Sequence, residues 1–443
     1  MAPLLPSRLS RRDLLAAGGA GVVAAVAAPA GLAEQAPAPP VPGARKKIAV
    51  LGTVIFEHSH TQHILDRLAS GYPWQGRWQE PRLDIAGVHI AQFPEGDGKD
   101  KPADLGRQRI ERYGLKNFPS VREALTLGGD KLAVDGVVII AEHGDYPRNE
   151  KGQTRYPRYE WFKECVKVFE DSGRSVPVFN DKHLSTEWNE CAEMVADARR
   201  LGFPFLAGSS LPITVRQPAI DMPFGVPLLE SVCMCYGGVD SYDFHGLETA
   251  QCMSERRRGG EVGIRQVHAL RGEKLWEVLA GGDREVTRRL IVAALNRSHN
   301  LPVEGGWMTA PVTFEWARTT LADSTGYLID HRDGFRTTMI LAPLRDFTYA
   351  GLRTDTGEIV SCLMHLPMPK YGATTADFFH PLTRHIEDLI LGNRAPYPVE
   401  RTLLTSGMVI GGVESLAAGE TPYATPQMGI AYQAPRESTF WRD

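Results

Sequence analysis

The chain has 443 residues, a net charge of −4 and 8% aromatic residues, so it carries no electrostatic footprint for nucleic acid. Its length and 43% hydrophobic content suffice for two domains with separate cores. Its six cysteines are scattered through apolar stretches, which excludes a disulfide scaffold and predicts buried free thiols.

In chain order, Ser10-Arg11-Arg12-Asp13-Leu14-Leu15 sets two arginines before an uncharged, Ala/Gly/Val-rich run from Leu14 to Ala33. A basic start, an apolar middle and small residues at the end are the parts of a secretory signal. The paired arginines mark the twin-arginine kind, which carries folded cargo. Residues 1–33 are thus expected to engage twin-arginine export machinery, giving a periplasmic or extracellular protein without stable membrane insertion. The alternative is an uncleaved N-terminal anchor, and no later stretch is long and apolar enough to span a bilayer. Residues 34–45 read as a Pro/Ala linker.

Lys47 to Thr53 (KIAVLGT) is a short apolar run ending near a glycine and reads as a buried parallel strand. A helix is expected from His60 to Leu68, a strand from Leu83 to Gln92, and a short helix from Ser120 to Leu127 with Ser120 as its cap. Val134 to Ala141 is the strongest strand signal, followed by an amphipathic helix from Tyr159 to Asp171. A strand at Val176 to Phe179, a helix opened by Ser185 and running to Leu201, and a strand at Phe203 to Ala207 complete the series. This alternation predicts an α/β fold whose first domain, residues 46–211, is a Rossmann-like, doubly wound parallel sheet. After Pro212 strands follow one another, at Leu228 to Cys235, Gly263 to Leu270, Gly326 to Asp330, Phe335 to Ala342 and Glu358 to Leu366. Helices are expected near 244–256, 273–280, 283–297 and 375–391, so residues 212–443 form an α+β domain on a large, mostly antiparallel sheet. Arg256-Arg257-Arg258, a basic run, reads as a solvated turn.

Several segments then match a known pattern. Ile48-Ala49-Val50-Leu51-Gly52, with His60 opening the helix, resembles the first strand and helix of the glucose–fructose oxidoreductase, inositol dehydrogenase and MocA family. Val134 to Ile140 resembles its fourth strand, and Asn180-Asp181-Lys182-His183 stands where members carry Glu-Lys-Pro. His245-Gly246-Leu247-Glu248 is similar to the family's His-x-x-Asp helix start. The resemblance spans most of residues 46–415. It implies a sugar-like small-molecule substrate, NAD or NADP as cofactor, and Lys182 and His245 as catalytic residues. Members often dimerise through the second-domain sheet, so a homo-oligomer is among its implications. Gly52, Thr53, His60, Gln92, Glu142, His143 and Asp181 are the implied cofactor-binding positions.

Three motifs depart from the family. The dinucleotide fingerprint uses glycines for close approach to the pyrophosphate. Here Gly52 keeps the first place, while Val54 and Glu57 occupy the second and third. Gln92, with Glu95 and Asp97 nearby, stands where an acidic residue binds ribose, and Ser241 replaces the aspartate before the catalytic histidine.

Polar residues gather after the parallel strands: Glu57, His58 and His60; Glu142, His143 and Asp145; Asp181, Lys182 and His183. All three loops are expected to open on one crevice, faced by His245 and Glu248. Lys182 and His245 suit proton transfer at a hydroxyl. His58, His60 and His143 are weaker candidates for a divalent metal, since no segment has a specific ligand spacing. The insertion from Asp145 to Tyr159 carries Arg148, Lys151, Arg155 and Arg158, read as a solvated surface or an anion site. His380 and His385 read as structural residues, and Trp74, Trp78 and Trp307 as packing residues. The leading expectation is an exported sugar or polyol oxidoreductase. The alternatives are a metal-assisted lyase, hydratase or epimerase on keto-sugars, or a non-catalytic sugar-binding protein.

Overall fold

β1 (Lys47–Val54) is buried at every residue after Lys47, as its unbroken apolar pattern requires of a central parallel strand. The structure is a computed structural model that describes residues 45–99, 101–366 and 375–442; the signal over 1–33 and the linker to residue 44 lie outside the described residues. α1 (His60–Ser70) follows, its N-cap Ser59 accepting from the Gln62 amide. A small hairpin of β2 (Tyr72–Trp74) and β3 (Arg77–Gln79) leads to β4 (Asp84–Gln92). Then come α2 (Gly106–Arg112), α3 (Val121–Thr126), β5 (Gly136–Ile140) and α4 (Arg158–Ser172). Ser120 caps α3 by accepting from the Glu123 amide, in the place its sequence announced. β6 (Val178–Asp181), α5 (Trp188–Leu201) and β7 (Phe205–Gly208) finish the series.

These strands form a five-stranded sheet in the order β4-β1-β5-β6-β7, parallel throughout. An isolated parallel bridge from Asn117 to Val88 extends it beyond β4. The order reverses at β1, with β4 on one side and β5 on the other. The crevice of such a sheet lies there, beyond the strands' carboxyl ends.

The second sheet uses β8 (Arg216–Gln217), β9 (Leu228–Tyr236), β10 (Ile264–Arg271), β11 (Thr325–His331), β12 (Arg336–Ala342), β13 (Phe347–Arg353), β14 (Ile359–Met364) and β15 (Tyr423–Ala424). Between and after them run α6 (Asp243–Ser254), α7 (Gly272–Ala280), α8 (Glu285–Leu295), α9 (Phe314–Thr320), α10 (Phe379–Gly392) and α11 (Glu400–Ala417). Its order is β15-β10-β11-β12-β9-β13-β14-β8, antiparallel except for the central β12–β9 pair. Alternation along β9 sends Cys233 and Cys235 to one core with Phe244 and Leu247 of α6. Val232 and Met234 point the other way, against Leu275 of α7 and Leu290 of α8.

α10 and α11 return to the first sheet. Ile386 and Ile390 of α10 join the core formed by Ile48, Val50 and Val138. α11 lies between the two bodies: Leu403 and Ile410 pack with the first core, Leu404 and Met408 with the second. Gly412 permits that approach, because a Cβ there would stand 2.2 Å from the Tyr327 ring.

Of the basic run only Arg258 is exposed, so it is not a solvated turn as a whole. Arg257 is buried and pairs with Glu261 at 3.0 Å and Asp333 at 2.8 Å, while buried Arg256 donates to the carbonyls of Met222, Pro435 and Arg436. All six cysteines are buried and free. Trp78 and Trp307 are exposed rather than packed, and Trp74 stacks on Trp441 at 5.5 Å.

Candidate active site

The loops that leave β1, β5 and β6 meet at the reversal of strand order, and each bends through a left-handed residue: His58 at φ 70°, His143 at φ 69° and Lys182 at φ 71°. Non-glycine residues rarely hold this conformation, and where they do the surrounding structure imposes it. Behind the three loops lies a cavity of about 260 Å³, lined by His60, Glu142, His143, Lys182 and His245, with Tyr156 and Tyr242 at its walls. The Lys182 amide donates to the Gly208 carbonyl at 3.0 Å, which fixes the backbone beneath the side chain.

Lys182 Nζ lies 2.5 Å from His245 Nε2 and 3.7 Å from Glu142 Oε1. The structure thus brings together the two residues marked as catalytic. His245 sits in the first turn of α6 and is buried. Burial and the Lys182 ammonium push its pKa far below the ordinary value, so the ring is neutral and accepts from the lysine. Burial alone would raise the Glu142 carboxyl, but Lys182 and Arg158 hold it well below the usual range. Burial outweighs the attraction of Glu142 at His143, whose pKa is lowered to about 4. His183 is lowered by burial and by Arg158. In the same cavity His60 Nδ1 lies 2.7 Å from Asp181 Oδ2, and the aspartate is fully buried.

The insertion between β5 and α4 is part of this site. Arg158 is buried and donates to Glu142 Oε2 at 2.6 Å, with His183 Nε2 at 3.0 Å from its guanidinium. Its expected place on a solvated surface is therefore corrected, since it pairs with Glu142 at the other end of its own loop and with His183 of the loop after β6. Thr154 donates its amide to Asp240 Oδ2 at 2.9 Å, and Gln153 Nε2 donates to Asp240 Oδ1 at 3.2 Å. Burial lifts the Asp240 carboxyl to about 6. These bonds tie the insertion to the turn that opens α6 and so to the position of His245.

A second cleft of about 850 Å³ adjoins the first beyond the ends of β1, β4 and β5. Val54, Phe56, Gln92, Phe93 and Gly144 line it, and His143 and Tyr156 are common to both. Gln92 exchanges two hydrogen bonds with the Asp145 backbone at 3.0 and 2.8 Å. Gly52 and Thr53 line neither cavity. A Cβ on Gly52 would stand 2.5 Å from the Thr61 methyl group, so this glycine lets α1 pack on β1. Thr53 is buried and donates to the Glu142 carbonyl at 2.6 Å. Glu248 does not face the crevice either; it accepts from Thr405 and from the Ser209 amide, and burial raises its pKa to about 7.

Among the described residues no three His, Cys, Asp or Glu side chains converge as a metal-ligand set. His58 stacks on His63 at 6.0 Å, and His60 is engaged by Asp181. His380 accepts from Arg67 Nε at 2.9 Å and His385 contacts the Thr439 carbonyl at 2.8 Å, both within packed structure. Tyr156, Tyr242 and Phe379 are site residues that sequence reasoning passed over. Only the spacing of Tyr242, one helical turn before His245, offered a signal.

No protein-family model and no curated protein matches this chain. Among solved structures it is similar to GenD2 from gentamicin A biosynthesis in complex with NAD, at 12% identity and a TM-score of 0.52, covering 86% of this chain and 97% of that one. It is also similar to myo-inositol dehydrogenase from Lactobacillus casei in complex with NAD(H) and myo-inositol, at 10% identity and a TM-score of 0.50, covering 86% of this chain and 97% of that one. The likeness is one of fold. A parallel sheet followed by a large, mostly antiparallel one is the architecture that the sequence resemblance implied.

Proposed function

We propose that this protein is an exported oxidoreductase that acts on a sugar or polyol with NAD or NADP held at the switch point of its first sheet. The contact between Lys182 and His245 carries the reading. It lies in a cavity with room for one sugar ring, and that cavity shares His143 and Tyr156 with a larger cleft at the place where such sheets take nucleotides. Nucleotides are present in the structures of GenD2 and the Lactobacillus casei enzyme that share the fold.

The residues present fit a dinucleotide without the glycine fingerprint. β1 runs on to Val54 and α1 begins only at His60, so the phosphate-facing turn is residues 55–59 rather than the stretch from Gly52 to Glu57. The first turn of α1 holds no acidic residue, although Ser59 already takes the Gln62 amide. The Glu57 carboxylate is 81% exposed and lines neither cavity. Val54, Phe56 and Phe93 offer apolar walls, with Gln92 in the ribose position.

When bound, the nicotinamide accepts or supplies hydride. The rest falls to this chain. In reduction Lys182 gives its proton to the carbonyl oxygen; in oxidation it passes a proton to neutral His245 and takes the hydroxyl's, with ionised Glu142 beside it. Tyr156 and Tyr242 flank the ring, and the insertion shields the site from water. The export reading rests on Arg11, Arg12 and the apolar run after them. Native mass spectrometry and nucleotide titration test the enzymatic reading. Bound nicotinamide, or saturable binding of NAD or NADP, is the expected result; a folded protein that shows neither overturns it.

A further inference from the structure

An alcohol oxidation moves one hydride and one proton, and Lys182 with His245 accounts for the proton. The same cavity holds a second acid–base pair. Asp181 is fully buried; one oxygen meets His60 Nδ1 at 2.7 Å, and the other has no hydrogen-bond partner among the described residues. With Nδ1–H given to the carboxylate, Nε2 is left as a bare basic nitrogen on a ring that lines the cavity. Phe379 edge-on at 5.0 Å and His143 at 5.7 Å hold that ring in place. Glu142 and Lys182 are the other charged groups of the cavity, with Lys182 contributed by the strand end next to Asp181.

We propose that His60, oriented by Asp181, is a second catalytic base that removes a carbon-bound proton next to a substrate carbonyl, so that the site enolises and epimerises keto-sugars. His60 Nε2 takes the proton, and the C–H electron pair becomes the C=C bond of an enolate. The carbonyl oxygen takes the negative charge beside the Lys182 ammonium. Return of the proton by His60 restores the ketone with retained configuration; a proton delivered from water to the opposite face, with His60 giving its own to water, yields the epimer. Nothing is oxidised or reduced in these steps. The inference rests on the reading of this cavity as a sugar site and adds proton transfer at carbon to hydride transfer.

The test is solvent exchange. The purified protein is incubated in D2O with the ketone of myo-inositol and with a keto-glucose, and loss of the C–H signals beside the carbonyl is followed by proton NMR. Reduction of the same ketones is followed separately through NADH absorbance. The wild-type protein is expected to exchange these protons at least ~100-fold faster than buffer, within the usual range of general base catalysis. His60→Gln is expected to lose ~100-fold and Asp181→Asn ~10-fold, since the latter removes only an orienting charge. Should one variant fail to fold, the other decides. Equal exchange by the wild type and a folded variant overturns the proposal, as does wild-type exchange no faster than buffer. Reduction without exchange overturns it and leaves the oxidoreductase standing; exchange without nucleotide binding or reduction does the reverse.

Discussion

Arg158 and Glu142 form a buried ion pair at 2.6 Å whose members stand at the two ends of one inserted loop, so the pair closes that loop over the cavity. Removing the guanidinium leaves the Glu142 carboxylate buried with Lys182 alone. Breaking one side of a buried pair costs about 3–5 kcal/mol. Arg158→Gln is therefore expected to lower the denaturation midpoint and to weaken ligand binding together. Chemical denaturation of both proteins checks this, and an unchanged midpoint would show that the pair does not hold the loop.

Lys182 is the group that touches both His245 and Glu142. Lys182→Met keeps a similar shape without the transferable proton, and it is expected to reduce hydride transfer by ~10²–10⁴-fold. Ligand binding measured by calorimetry should survive the change. Activity above a tenth of wild type would remove Lys182 from its assigned role.

Burial lowers the pKa of His63, His143, His183, His245, His380 and His385 from 6.5. Below 6.5 the unfolded chain takes up protons that the folded one refuses. Their contribution is complete above 6.5 and is lost as the pH falls, for His143 down to about 4. Stability is therefore expected to decline steeply between pH 6.5 and 4, with a shallower slope in His143→Asn. Denaturation midpoints across that interval give the comparison.

Gly52 is the one residue of the fingerprint that this chain keeps, yet its missing Cβ makes room for Thr61. Gly52→Ala is expected to cost about 1–3 kcal/mol as an overpacked contact. Nucleotide affinity should move little. A large loss of affinity with stability intact would place the glycine at the phosphate instead.

Export is checked by fractionation of cells that produce the full chain. Replacing Arg11 and Arg12 with lysine keeps the charge of the signal and is expected to retain the protein in the cytoplasm. Export of the double variant at the wild-type level would point to a different route.

β1 and β5 were legible because a strand buried on both faces has no choice but continuous apolar residues. Ser120 showed its cap, and α4 its amphipathic stripe. α11 was not legible, although it is the longest helix described. It buries Leu403 against one core and Leu404 against the other, so it has no polar face to give a helical period. Arg158 was misread for a related reason: its neighbours in sequence are polar, and its partners are brought in only by folding. Lys182 and His245 stand on different sheets' connections, and family likeness rather than spacing joined them. Asp240 stood out only as an aspartate beside Ser241, and its bond to the Thr154 amide left no mark in the sequence.

His58, His143 and Lys182 each occupy a left-handed turn at a strand end, at a cost of roughly 1–2 kcal/mol apiece relative to relaxed backbone. Glycine would relieve each one. A search for heat-resistant variants would therefore be drawn to these three positions and would strip the side chains that face the cavity. Selection for durability and selection for turnover pull on the same backbone angles in opposite directions, and a library built on this scaffold has to hold those angles out of reach.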